Sequence, residues 1–121
     1  IEYGLLCIGG NDSSRPSSYM IEQVNNIANA LISHNITPIF FTISPIYLQI
    51  NQAFRETNTY IRSHYLYVDA EQVFLDVDAV NGNPTDSDIK ADLYLSDTVH
   101  PTVQGHQFLF NRIKMDCPFL F

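Results

Sequence analysis

A chain of 121 residues, 45% of them hydrophobic, is long enough for one domain with a modest core, and this composition excludes a disordered polypeptide. Six basic and thirteen acidic residues give a formal net charge of −7, which excludes nucleic acid as a partner because phosphate binding needs clustered Lys and Arg. No run approaches the roughly 18 apolar residues of a membrane span, so none is expected, and nothing in the sequence indicates a localisation.

The first half of the chain predicts two strands with a helix between them. Residues 4–8 form a continuous apolar run that ends at Gly9-Gly10, which is typical of a strand buried on both faces. Cys7 is interpreted as a small core residue of that strand. Apolar residues then recur at three- and four-residue spacing over residues 20–32, which indicates an amphipathic helix. Residues 36–43 predict a second buried strand.

The second half predicts a helix, a short strand, a long loop and a final helix. A more polar helical pattern covers about residues 49–64, and Leu66-Tyr67-Val68 predicts a third strand. The segment 76–92 carries Asn81-Gly82-Asn83-Pro84 and many carboxylates, so a solvated, turn-rich loop is expected there. A last helix is predicted over about residues 102–114. Its inward-facing side chains are expected to be Val103, Phe108, Leu109 and Ile113.

This alternation of strands and helices favours an α/β fold, in which a parallel sheet carries helices on its faces as three αβα layers. Reactive groups in such sheets gather beyond the carboxyl ends of the strands, where Asn11 and the loop around His100 are expected to meet. Because residues 4–8 have the character of an internal strand, we expect residues 1–121 to be the C-terminal portion of a single domain whose first strands precede Ile1.

Asp97 and His100 form the first candidate functional group. A general base for a hydroxyl nucleophile needs one free ring nitrogen and an acceptor that holds the other and fixes the tautomer. A carboxylate three residues before His100 on a tight loop can fold back onto the nearer ring nitrogen, and Pro101 stiffens the exit from that loop. The spacing predicts a base with its orienting carboxylate, and a structural loop histidine is the competing interpretation.

Asn11 provides the second candidate group. Glycines at positions 9 and 10 allow the backbone to turn sharply at the end of the first strand. The amide of Asn11 would then be exposed at the sheet edge, where it can donate a hydrogen bond to a developing oxyanion. An ordinary Asn-Asp turn after a strand is the competing interpretation.

Together the two groups resemble the third and fifth sequence blocks of the SGNH (GDSL-type) hydrolases, Gly-x-Asn-Asp and Asp-x-x-His-Pro. The matching residues are Gly9, Asn11, Asp12, Asp97, His100 and Pro101, with Gly105 where the family often has a glycine. The resemblance implies a flavodoxin-like αβα fold and the hydrolysis of carboxylic esters or thioesters through an acyl-enzyme. It implies that His100 is the general base and acid, that Asp97 orients it, and that Asn11 is an oxyanion donor. Gly10 is expected to contribute to substrate binding.

The nucleophile block of this family, a strand followed by Gly-Asp-Ser, has no counterpart before Asn11. We therefore expect the serine to lie upstream of Ile1 and the isolated chain to be a poor catalyst. Ser13 or Ser14 is the alternative nucleophile, although the asparagine block would then be missing. The alternative to an enzyme is a non-catalytic fragment or degenerate relative that acts as a binding or assembly module. A flavodoxin-like ligand-binding domain fits least, because no phosphate-cradling loop is present.

The motifs imply no cofactor and no metal, since His34, His64 and His106 lack metal-ligand spacing to Cys or acidic residues. The expected partner is a small-molecule ester. Without strands before it, the strand at residues 4–8 would present a hydrophobic edge, and such an edge pairs readily with another chain. Self-association through residues 4–8 is therefore expected.

Overall fold

The computed structural model describes all 121 residues and has an α/β fold built on a three-stranded sheet. The strands are β1 (Glu2–Leu6), β2 (Ile36–Phe41) and β3 (Leu66–Val68), and the helices are α1 (Ser17–Ile32), α2 (Gln52–His64), α3 (Ala70–Val73) and α4 (Val103–Asp116). The strand order is β1-β2-β3, and β1 runs parallel to β2 with Glu2 opposite Ile36 and Leu6 opposite Phe40. The predicted α/β class with a parallel sheet is confirmed. None of the helices combines the length and apolar character needed to cross a membrane.

The chain divides into two compact units. The first contains residues 1–43 and 52–67, and the second contains residues 44–51 and 68–121. The core of the first unit includes a cluster of Val24, Ala28, Phe40 and Ile61. The core of the second consists of Phe74, Leu75, Ala79, Ile89, Leu93 and Tyr94.

In the first unit, polar side chains fix α2 against α1 and against the end of β2. Asn25 of α1 accepts hydrogen bonds from the hydroxyls of Tyr60 and Tyr65. The fully buried amide of Asn58 accepts from the backbone N–H of Ile43 at 2.6 Å and donates to its carbonyl at 2.9 Å. These bonds satisfy buried backbone groups just beyond β2, where the sheet no longer does so.

The first strand differs from its prediction. It covers residues 2–6 rather than 4–8, and it lies at the edge of the strand order, so only β2 pairs with it. Leu5 is 44% exposed and Cys7 is exposed rather than in the core. A continuous apolar run predicts a strand inside the sheet, which has a neighbouring strand on each side. Strand β1 has a neighbouring strand on one side only, so its other edge is exposed.

Helix α2 begins three residues later than predicted. Residues 46–49 form a tight turn in which the N–H of Gln49 donates to the carbonyl of Ile46. Its two central residues, Tyr47 and Leu48, have left-handed φ values of 57° and 52°. A left-handed backbone cannot continue into a helix, so α2 starts at Gln52.

Helix α4 begins as predicted but presents a different face to the core. Val103 is 88% exposed and Phe108 is 38% exposed. Gly105 and Leu109, which are four residues apart and therefore on one face, pack toward the core of the second unit. Because the face of Gly105 and Leu109 is turned to the core, Val103 points to solvent and Phe108 lies at the side of the helix. The predicted inward orientation of Val103 and Phe108 was wrong.

The segment predicted as a solvated loop over residues 76–92 is more ordered than expected. Leu75 and Ile89 pair as an antiparallel bridge, and short 3-10 helices form at Asp86–Asp88 and Ala91–Leu93. Ala79 is fully buried. The carboxylates of this segment remain at the surface, whereas Ala79 and Ile89 are buried in the core. A count of charges does not predict this division.

Candidate active site

Asp97 and His100 form a closed hydrogen-bonded loop. The Oδ1 atom of Asp97 accepts from the backbone N–H groups of Val99 and His100, both at 2.9 Å. Its Oδ2 atom lies 2.5 Å from Nδ1 of the His100 ring. Both carboxylate oxygens are therefore occupied by the same short segment, and the ring is held by the nitrogen nearer its own backbone.

Backbone bonds on either side hold this loop in place. The N–H of Leu95 donates to the carbonyl of His100 at 2.8 Å, and the N–H of Thr98 donates to the carbonyl of Leu95 at 2.9 Å. Thr98 has a left-handed φ of 60°, which is costly for a β-branched residue and persists only where the surroundings enforce it. The tight reversal brings the carboxylate of Asp97 back to the His100 ring.

The start of α4 stiffens the exit from the loop. Thr102 caps the helix by accepting from the N–H of Gly105 at 3.1 Å, and its own N–H donates to the carbonyl of Leu93 at 2.8 Å. A Cβ at Gly105 would lie 2.8 Å from the carbonyl oxygen of Leu93 and 2.9 Å from Cβ of Pro101. Only glycine permits this close approach of α4 to the residues around the loop.

The turn at residues 46–49 braces the loop from a distant part of the sequence. The N–H of Tyr47 donates to the carbonyl of Thr98 at 2.9 Å, and the buried hydroxyl of Tyr94 donates to the carbonyl of Pro45 at 2.5 Å. Burial raises the pKa of the Tyr94 phenol well above its ordinary range, so Tyr94 remains a hydrogen-bond donor at physiological pH. These two bonds connect the loop and its flank to residues about 50 positions earlier in the sequence.

The electrostatics of the pair favour an ionised carboxylate. The hydrogen bond from the His100 ring, followed by those from the backbone N–H groups of His100 and Val99, lowers the pKa of Asp97 from 3.8 to about 2. The side chains of His100 and Asp97 are 72% and 46% exposed. The Nε2 atom of His100 makes no hydrogen bond within the chain, so it is available to exchange a proton with a bound molecule.

Asn11 lies in a 3-10 turn formed by Gly10–Asp12, and three residues separate this turn from the end of β1 at Leu6. The N–H of Asp12 donates to the carbonyl of Gly9 at 2.9 Å, and Gly9 has a φ of 102°, which favours glycine. The side chain of Asn11 is exposed and makes no hydrogen bond within the chain, so its amide is free to donate.

The two glycines before Asn11 have different roles. A Cβ at Gly9 would lie 2.6 Å from Cδ1 of Ile43, whereas a Cβ at Gly10 would meet nothing within 4 Å. The sharp turn therefore depends on Gly9. Gly10, the residue predicted to contribute to substrate binding, is exposed, as are Ser13 and Ser14 just beyond the turn.

The predicted site residues fall into two pairs. Gly10 and Asn11 belong to the first unit, and Asp97 and His100 belong to the second. The structure brings the members of each pair together, and the convergence of Asn11 and His100 on one sheet edge stays a prediction.

Sequence reasoning missed several residues that support the His100 loop. Tyr47 and Tyr94 contribute through bonds that span about 50 positions, and no local pattern reports such a contact. Thr102 could have been found, because a threonine three residues before Gly105 at the start of a helical pattern is an N-cap signature.

No protein-family model matches this sequence, and no curated protein matches it either. The crystal structure of a GDSL-like lipase from Bacteroides thetaiotaomicron is similar to this chain, with a TM-score of 0.71 at 18% sequence identity. The similarity covers 97% of this chain and 62% of the lipase chain. The chain therefore has the fold of that part of a GDSL-like lipase and spans less than two thirds of its length.

Proposed function

We propose that this chain carries the histidine, aspartate and asparagine of a serine-type esterase site that hydrolyses carboxylic esters or thioesters. The observation that carries the proposal is the Asp97–His100 pair, in which the carboxylate holds Nδ1 at 2.5 Å and Nε2 has no partner. Similarity in fold to a GDSL-like lipase supports the same chemistry. The domain is proposed to be the C-terminal portion of a single SGNH-like hydrolase.

His100 is the proton carrier of this mechanism. Its Nε2 accepts the proton of a serine hydroxyl while the serine oxygen attacks the acyl carbon, and it then gives that proton to the leaving alcohol or thiol. Water repeats the sequence and releases the carboxylic acid from the acyl-serine. The ionised carboxylate of Asp97 stabilises the imidazolium that forms each time.

Asn11 stabilises the other charge of the reaction. When the acyl carbon becomes tetrahedral, its oxygen becomes negative, and the side-chain amide of Asn11 donates a hydrogen bond to it. Gly10 contributes to substrate binding through its exposed backbone beside Asn11.

The nucleophilic serine is proposed to come from outside residues 1–121. The test compares the 121-residue chain with a protein extended by the coding sequence that precedes Ile1, using a chromogenic short-chain ester. The extended protein should hydrolyse the ester, and the isolated chain should be slower by about 10⁴–10⁶ because it lacks a triad member.

Ser13→Ala and Ser14→Ala are the controls in the isolated chain, since both serines are exposed beside Asn11. Efficient turnover by the isolated chain that either substitution abolishes would place the nucleophile within the chain. An extended protein that contains no Gly-Asp-Ser block and hydrolyses no ester would contradict the enzymatic function.

A further inference from the structure

The first unit contains a cavity of about 210 Å³ beside the turn that carries Asn11. Its wall includes Ile8 and Gly9, which follow β1, and Ile43, which follows β2. Asp12 and side chains of helices α1 and α2 form the rest of the wall. The lining residues of the two helices are Tyr19, Met20, Gln23, Val24, Ile27, Thr57 and Ile61.

The inner wall of the cavity is apolar. Met20, Val24, Ile43 and Ile61 are all at least 95% buried. Thr57 is also fully buried, but its hydroxyl donates to the carbonyl of Ala53 at 2.8 Å. Its hydrogen-bonding capacity as a donor is therefore used within α2, and the interior favours a ligand with no polar group of its own.

The polar side chains belong to the half-exposed part of the lining. Asp12, Tyr19 and Gln23 are partly exposed, so they lie nearer to solvent than the buried isoleucines. Asp12 is in the same 3-10 turn as Asn11. A molecule whose polar end lies at this turn can therefore extend an apolar chain into the cavity.

We propose that this cavity binds the neutral aliphatic chain of an ester, the acyl group whose carbonyl lies at Asn11. The identity of that chain as an acyl group rests on the proposed esterase function. The binding of an aliphatic chain rests on the cavity itself.

The size of the cavity limits the length of the chain. A dry apolar cavity of about 150 Å³ holds one benzene molecule. By the same proportion, a cavity of about 210 Å³ holds about eight carbon atoms. Short and medium acyl chains fit within it, and long-chain lipids do not.

Charge favours a neutral ligand over a carboxylate. Asp12 is part of the lining, and the chain as a whole carries a net charge of −7. Arg15 carries a positive charge beside the lining, with its guanidinium 4.7 Å from the centroid of the Tyr19 ring, but it is not itself a lining residue. Because Asp12 lines the cavity and Arg15 does not, a fatty acid anion should bind more weakly than its neutral analogue.

The test titrates the 121-residue chain with butan-1-ol, hexan-1-ol, octan-1-ol and decan-1-ol, which are neutral and cannot be hydrolysed. The isoleucine methyl signals of Ile27, Ile43 and Ile61 report binding by NMR. Affinity should rise about fourfold for each methylene added and stop rising near eight carbons, where the cavity is full. Hexanoate should bind more weakly than hexan-1-ol.

Ile27→Trp fills the cavity and should weaken hexan-1-ol binding at least tenfold. Ile32→Trp is the matched control, because Ile32 lies on the same helix, is 54% exposed and is not part of the lining. The unaltered chain carries the test even if Ile27→Trp does not fold. Equal binding of hexanoate, affinity that keeps rising to ten carbons, or no saturable shift at these methyls would overturn the proposal.

This outcome is independent of catalysis. Saturable binding of alcohols by a chain whose extended form hydrolyses no ester would support the cavity as an aliphatic site and contradict only the esterase function. Ester hydrolysis by an extended form, without alcohol binding at these methyls, would support the esterase function and contradict the aliphatic site.

Discussion

The loop of Asp97 and His100 and the turn of Asn11 differ in how each holds its functional side chain. His100 is fixed through its ring by Asp97, whose second oxygen accepts two backbone N–H groups. The side chain of Asn11 has no hydrogen bond within the chain, and only the backbone of its turn is fixed.

This difference follows from whether each motif contains both the donor and the acceptor of its hydrogen bonds. Asp-x-x-His brings donor and acceptor together within four residues, so the chain can complete the geometry locally. An oxyanion donor must keep its N–H free for the substrate, so a partner within the chain would compete with its role. In the proposed function, the fixed ring of His100 is the base and the unoccupied amide of Asn11 is the oxyanion donor.

The largest effect expected from this comparison is kinetic. Under the proposed esterase function, His100→Ala in the extended protein should lower kcat by about 10⁴–10⁶, because His100 is the proposed proton carrier. Asn11→Ala should lower kcat by about 10²–10³, since it removes one oxyanion donor. Steady-state kinetics on a chromogenic ester measure both, with His106→Ala as the control. Equal losses for the two substitutions would contradict the separate roles.

A smaller effect is expected from the glycines that flank each motif. Gly105→Ala should lower the free energy of unfolding by about 1–3 kcal/mol, because the new Cβ meets the carbonyl of Leu93 and the ring of Pro101. Gly10→Ala should change it by less than about 0.5 kcal/mol, because its Cβ meets nothing within 4 Å. Denaturant unfolding measures both, and a Gly105→Ala variant as stable as the parent would show that the backbone yields.

The Asp97 carboxyl group gives a third test. Its pKa is lowered from 3.8 to about 2, so its pairing stabilises the folded loop above pH 3.8 and this contribution is lost as the pH falls through about 2. His100→Ala removes the largest cause of the shift and should return the pKa toward 3.8. NMR titration of the Asp97 carboxyl carbon measures this, with His106→Ala expected to leave it unchanged. An Asp97 pKa that does not rise in His100→Ala would mean that the ring bond is weak in solution.

The smallest effect concerns the strand that leads to the Asn11 turn. Leu5 is 44% exposed on the edge strand β1, and we expect self-association through residues 4–8 at high concentration. Leu5→Lys should weaken it, because a charge on an edge strand opposes pairing. Light scattering at increasing concentration measures the change. A parent chain that remains monomeric throughout would disprove this interface.

Much of the fold could be predicted because periodic sequence patterns report local structure. The apolar spacing of α1 and the short run of β3 located both elements to within a few residues. The start of α2 was missed, since the left-handed turn at Tyr47 and Leu48 contains no glycine or asparagine to signal it. The exposure of Cys7 was missed because burial depends on neighbouring strands rather than on the run itself.

The sequence by itself determined the order of the three strands and the three long helices, but not the short helix α3. It also determined the Asp97–His100 pair and the turn that presents Asn11, because each is specified by residues within a few positions of one another. Tertiary structure alone decided which face of α4 is buried, where the cavity beside Asn11 lies, and that Tyr47 and Tyr94 brace the His100 loop. Those features depend on contacts between residues far apart in the chain, whose partners no local spacing identifies.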